Sequence, residues 1–87
     1  DLLTAFKDRL IAVHLHDNDG LADQHRLPFT GTVNWPVLAT IFRSSAYTGC
    51  LTLESSRRYE PADNEAAFLA EAFLRGNRFS AMVSEAR

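Results

Sequence analysis

Ile11-Ala12-Val13-His14-Leu15-His16 and Cys50-Leu51-Thr52-Leu53-Glu54 are the two stretches that decide the fold. In the first, Ile11, Val13 and Leu15 share one face while Ala12, His14 and His16 share the other. The second repeats this in miniature, with Leu51 and Leu53 opposed to Cys50, Thr52 and Glu54. A period of two residues is that of a β-strand. Each strand thus carries one greasy face and one that ends in polar, ligand-type side chains.

Between them, Asp17 to Thr32 holds Asn, Asp, Gly and Pro with no sustained period and reads as a long loop of the kind reserved for function. Asn34 can cap a helix that tolerates Pro36 in its first turn and lines Trp35, Leu38, Ile41 and Phe42 along one side. Ser44 to Gly49 is the return turn. Two strands joined through a helix in this way are parallel, with a right-handed crossover.

Outward from this unit, Leu2, Leu3, Phe6 and Leu10 recur at helical spacing, so a helix over residues 1 to 7 ends near Asp8-Arg9. No start signal precedes it, and a fragment lacking its N-terminal portion is expected. On the other side Ser55 to Pro61 is a loop, and Asp63 or Asn64 is a cap. Phe68, Leu69, Ala72 and Phe73 form the stripe of a helix that ends by Gly76, with a last short helical piece over Phe79 to Val83.

Strand, helix, strand, helix in this order predicts an α/β protein. The expected architecture is a partial (β/α)8 TIM barrel, the last two parallel strands with flanking helices. Residues 1–87 then form a single partial domain, the C-terminal portion. A complete barrel runs to about 250 residues and carries its active site at the C-terminal edge of the strands, so this chain supplies roughly its last quarter or third.

A chain of 87 residues is one small domain, and a domain of this size buries only about 60% of its unfolded surface. Its 46% hydrophobic and 23% charged residues are those of an ordinary globular protein. Nine basic against eleven acidic residues give a net charge of −2, which speaks against nucleic acid as a partner, since phosphate binding asks for clustered positive charge. The lone Cys50 rules out an internal disulfide and makes the cytoplasm the expected address. No apolar run reaches the ~18 residues of a membrane span.

His14 to His25 packs three histidines and three aspartates into twelve residues. Imidazole suits zinc, iron and manganese, and carboxylate suits magnesium and manganese, so the density points to part of a metal site. Neighbouring parallel strands lie about 4.8 Å apart, close enough for His14 and Glu54 to touch one ion. Taken singly, His14 also reads as a hydrogen-bonded core histidine and Glu54 as a salt-bridged strand end. His16 faces the same way as His14, toward substrate or solvent. Asp17, Asn18 and Asp19 serve as turn formers or ligands. Arg26 and the Arg57-Arg58 pair lie on the two loops at this edge, as contacts for a substrate phosphate or as solvated surface charge. Trp35 and Phe42 read as packing, Cys50 as a small interior filler, and Gly31 and Gly49 as tight turns.

Val13-His14-Leu15-His16-Asp17-Asn18, Asp23-Gln24-His25, Pro28, Gly31 with Trp35 beyond, and Leu51-Thr52-Leu53-Glu54 resemble the xylose isomerase-like superfamily. These barrels include sugar phosphate isomerases and epimerases and the type 2 apurinic endonucleases. The resemblance implies that His14 and Glu54 are ligands of a shared divalent cation (manganese, magnesium, zinc or cobalt) and that Glu54 is also the catalytic carboxylate. It implies that Asp23 and His25 hold a second cation or touch substrate, with His16 beside them. Members complete the first cation site with a glutamate and an aspartate from earlier strands. Neither is present here, so the isolated chain is expected to bind metal poorly and to be inactive.

The reading is the C-terminal part of a metal-dependent sugar or sugar phosphate isomerase or epimerase, moving a proton next to a metal-polarised carbonyl. An apurinic-site endonuclease is the first alternative. A non-catalytic incomplete barrel that self-associates through its open strand edges as a homo-oligomer is the second.

Overall fold

The computed structural model describes residues 1–59 and 64–84. Helix α1 spans Leu2–Phe6 and runs into a 3-10 turn at Lys7–Arg9, and strand β1 spans Val13–Leu15. Helix α2 spans Trp35–Ser44, strand β2 Leu51–Leu53, a second 3-10 turn Arg57–Tyr59, and helix α3 Glu65–Ser84.

The two strands pair in parallel, Val13 opposite Leu51, His14 opposite Thr52 and Leu15 opposite Leu53. The Glu54 N–H adds a further rung, donating to the Leu15 carbonyl at 2.9 Å. This register brings the end of β2 alongside His16, and it is what assembles the polar edge described below.

The apolar face of the sheet packs on α2 and α3. Leu15, Trp35, Ala39, Phe42, Phe79 and Val83 form the buried cluster, with the Trp35 and Phe79 rings edge-on at 5.0 Å between centroids. Helix α2 starts where Asn34 Oδ1 accepts the Val37 N–H at 3.2 Å, an N-cap that allows Pro36 in the first turn. Asp1 does the same for α1, accepting the Thr4 N–H at 2.8 Å, a start signal the sequence reading passed over. Asn64 caps α3 through the Ala67 N–H at 2.9 Å; the other cap candidate, Asp63, and the end of the loop through Pro61 lie outside the described residues.

The expected partial TIM barrel is overturned. Among the described residues the sheet has two strands of three residues each with three α-helices. Such strands are about 10 Å long, and two of them are too few and too short to form an arc of barrel wall. The architecture is a two-stranded parallel sheet resting on two helices.

Four local expectations are also corrected. Gly76 does not end the last helix: α3 continues to Ser84 as one element. A Cβ at Gly76 would stand 3.2 Å from Leu53 Cδ1, so glycine here serves close helix-to-strand approach, and burial of Phe79 and Val83 beyond it offsets the ~1 kcal/mol helix penalty. The stripe is accordingly shifted: Phe68 is buried, whereas Leu69 and Phe73 are 63% and 69% exposed. Ile11, expected beside Val13 and Leu15, is 94% exposed because the ladder begins only at Val13. Cys50 is exposed too, with the parity of exposed Thr52. No helix among the described residues is long and apolar enough to cross a membrane.

Candidate metal centre

The polar edge is built by two strand ends and the loop from Asp17 to Thr32. His14 and His16 leave β1 on the face opposite Leu15, and Glu54 follows β2 directly. The His14 imidazole donates from Nδ1 to Glu54 Oε2 at 2.6 Å. That hydrogen bond, with the positive charge of nearby His14, His25 and His16, holds the Glu54 carboxyl below its ordinary value against the opposing effect of burial.

The loop folds back so that its middle returns to the strands. Asp17 and Arg26 exchange both backbone hydrogen bonds at 2.8 Å, and the Ser56 N–H donates to the His25 carbonyl at 2.7 Å. Asp19 and Gln24 close the excursion between: the Asp19 N–H donates to Gln24 Oε1 at 2.9 Å and Gln24 Nε2 donates to Asp19 Oδ2 at 3.0 Å. Arg26 Nε donates to Gln24 Oε1 at 2.8 Å.

His25 is thereby pressed against the end of β2. Its Nδ1 lies 3.1 Å from the Glu54 carbonyl oxygen and 3.3 Å from Glu54 Oε1, and its Nε2 lies 3.0 Å from Asp23 Oδ1. Its ring stacks on that of His16, centroids 4.1 Å apart and planes 16° from parallel. The backbone of His25 has φ 52°, in the left-handed region that costs a non-glycine residue about 1 kcal/mol or more and persists only where surroundings enforce it.

His16, Asp23 and His25 each offer one ligand atom, and these atoms lie within 4.8 Å of one another. Ligands on one tetrahedral zinc at about 2.0–2.2 Å are separated by about 3.3–3.6 Å, so side-chain shifts of no more than about 1.5 Å close the group around a cation. Among the described residues His16 Nδ1 is buried and lacks a hydrogen-bond partner, whereas a buried polar atom ordinarily has one. The residues present therefore fit a divalent cation.

All five side chains singled out for this edge, His14, His16, Asp23, His25 and Glu54, are brought together. The three-ligand set His16, Asp23 and His25 consists of the residues that the resemblance gives to a second cation or substrate, while His14 and Glu54, which it gives to the first cation, meet in a direct hydrogen bond, with Glu54 also beside His25. Arg26 is occupied with Gln24 and with Asp17, while Arg57 is exposed on the turn after Glu54. Sequence reading missed Gln24, and it missed Asp17 as a buried group. The signal for Asp17 was its parity: it is two residues past Leu15, on the inward face.

Asp17 is fully buried. Its Oδ1 accepts the N–H groups of Asn18 at 2.8 Å and Val33 at 3.0 Å, and its Oδ2 accepts Gly31 N–H at 3.0 Å and the Trp35 indole N–H at 2.7 Å. Burial raises its pKa, and the donors from Trp35, Val33, Asn18 and Gly31 outweigh it, so the carboxyl stays below its ordinary value.

A protein of Sinorhizobium fredii (strain NBRC 101917 / NGR234), described as uncharacterized protein y4fM, is 34% identical to this chain over 84 residues, covering 92% of the chain and 25% of its own length. The chain thus spans about a quarter of the length of the curated relative it matches. No family model and no solved structure matches it.

Proposed function

We propose that this chain is a divalent-cation-binding unit whose ligands are His16, Asp23 and His25. The observation that carries the reading is the convergence of their three ligand atoms within 4.8 Å, together with the buried Nδ1 of His16, which has no hydrogen-bond partner among the described residues. Two imidazoles and one carboxylate favour zinc, manganese or cobalt over magnesium or calcium, which prefer all-oxygen sets. Three protein ligands leave a position open, the arrangement of a catalytic rather than a closed structural site.

Glu54 gives the edge its chemistry. A carboxylate at neutral pH, with its pKa lowered further by the hydrogen bond from His14, and beside His25, it is placed to take a proton from a bound molecule and return it. A bound cation supplies polarisation of a neighbouring carbonyl. In a polypeptide of the relative's greater length we assign to this edge proton transfer next to the carbonyl of a sugar or sugar phosphate, the isomerase or epimerase class. An anionic substituent on that substrate finds Arg57 three residues beyond Glu54. A reducing, cytoplasmic setting suits a chain whose lone cysteine has no internal partner.

Calorimetric titration with Zn2+ and Mn2+, with Mg2+ as control, tests the site. One transition-metal equivalent bound in preference to Mg2+, weakened at least tenfold by H16A or D23N, supports it; equal weak binding by the wild type and both variants overturns it. The reaction class is tested by deuterium entry from solvent at the carbon next to the carbonyl of ketoses and ketose phosphates, with Mn2+, in this chain and in the longer S. fredii relative. Exchange abolished by E54Q supports it. Absence of exchange from both metal-loaded proteins rejects the reaction class and leaves the cation site standing.

A further inference from the structure

We infer that Asp17 is the positioning residue of the cation site, an inference that rests on the reading above: its buried carboxylate sets the spacing of His16, Asp23 and His25 without touching the ion. It follows the ligand His16 directly in the chain. Its backbone is paired with Arg26, the residue directly after His25. One residue therefore fixes the register of the two stacked imidazoles.

The side chain extends that control to the whole loop. Through Gly31 and Val33 it holds the returning limb, through Asn18 the outgoing limb, and through the Trp35 indole the hydrophobic core. Each oxygen takes two donors, so the carboxylate is fully engaged and rigid. The limbs cross so tightly that a Cβ on Gly31 would meet the Asn18 carbonyl oxygen at 1.9 Å and Asp17 Oδ1 at 2.7 Å. The Thr32 N–H completes the closure by donating to the Asn18 carbonyl at 2.7 Å. The 19–25 excursion carrying Asp23 and His25 is then short and stiffened by Asp19 and Gln24, and its geometry follows from the clamp at its base. Asparagine at position 17 keeps the shape but turns one acceptor into a donor that faces existing donors.

The test compares D17N, G31A and a core control, F42L, by Co2+ binding followed in visible absorption and by ring-to-ring NOEs between His16 and His25 in the metal-free chain. D17N is expected to lose at least tenfold in Co2+ affinity and the His16–His25 NOE, with G31A doing the same should D17N fail to fold. F42L lowers stability, which a merely structural role for Asp17 would also do, yet keeps Co2+ affinity within about twofold and retains the NOE. D17N or G31A binding Co2+ as the wild type does, with the NOE intact, overturns the inference. Wild type that binds no Co2+ sinks the cation reading alone. In that case loss of the NOE in D17N upholds the positioning role, and its retention rejects it.

Discussion

The Asp17–Thr32 loop and the outer surface of α3 have reversed roles relative to what their composition suggests. The loop has almost no regular structure, yet its limbs are tied by the Asp17 carboxylate, the Asp17–Arg26 pair and the Asp19–Gln24 pair. Helix α3 is the longest regular element, yet Leu69, Phe73 and Leu74 on it are all more than 60% exposed. Order in the loop comes mainly from satisfied polar groups, with Leu27 and Pro28 buried beside them, and order in the helix mainly from buried Phe68, Phe79 and Val83, with Arg75 donating to the Pro28 carbonyl and Arg43 to the Met82 carbonyl. The difference teaches that in a chain this small a buried carboxylate with four donors organises as much backbone as a stripe of apolar side chains.

That contrast can be broken at several points. The largest effect belongs to the inner side of α3: F79A, which empties a site only 1% exposed, is expected to cost about 3–5 kcal/mol. F73A on the outer side should stay within about 0.5 kcal/mol. Urea denaturation of both variants checks this, and equal losses would erase the distinction between the two sides.

Next comes the loop clamp. D17N should lower stability by about 2–3 kcal/mol by breaking charge-assisted hydrogen bonds, with faster amide exchange at Gly31 and Val33. Its pH dependence sharpens the point. The folded-state pKa of Asp17 is depressed below the ordinary 3.8, so its contribution is present above that value and lost as pH falls through the folded pKa. Denaturation midpoints should hold steady from about pH 7 to about pH 5 and then drop; D17N should flatten that drop, and E54Q should flatten it less because Glu54 is exposed.

A smaller effect of opposite sign is expected at His16. Removing a buried nitrogen that lacks a partner should make metal-free H16L about 1 kcal/mol more stable while abolishing cation binding, read by thermal melts with and without Zn2+. The smallest effect is at Gly76. In G76A the gain of about 1 kcal/mol in helix propensity is set against a Cβ 3.2 Å from the movable Leu53 Cδ1, for a net change within about 0.5 kcal/mol.

The alternation in Val13-His14-Leu15 and Leu51-Thr52-Leu53 made the parallel pair and the polar edge readable, because a period of two dictates both strand and face. The Asn34 cap was readable from its side chain. What was not readable depended on distance along the chain. Gly76 looked like a helix end because its use, contact with Leu53, lies 23 positions back in the sequence. The barrel was expected because two strands with polar ends look alike whether or not others flank them. At the site, the residue types pointed to a cation and brought forward His14, His16, Asp23, His25 and Glu54. The resemblance had already put His16 beside Asp23 and His25; the geometry that closes them together is set by the left-handed backbone at His25 and the fold-back at Arg26, neither of which has a local signature.

X-ray absorption at the zinc edge of the Zn2+-loaded chain tests the central claim most directly. The account predicts a first shell with two imidazole nitrogens and a carboxylate oxygen at about 2.0–2.2 Å, reduced by one imidazole in H16A. A shell without imidazole scattering, or one unchanged in H16A, would contradict it.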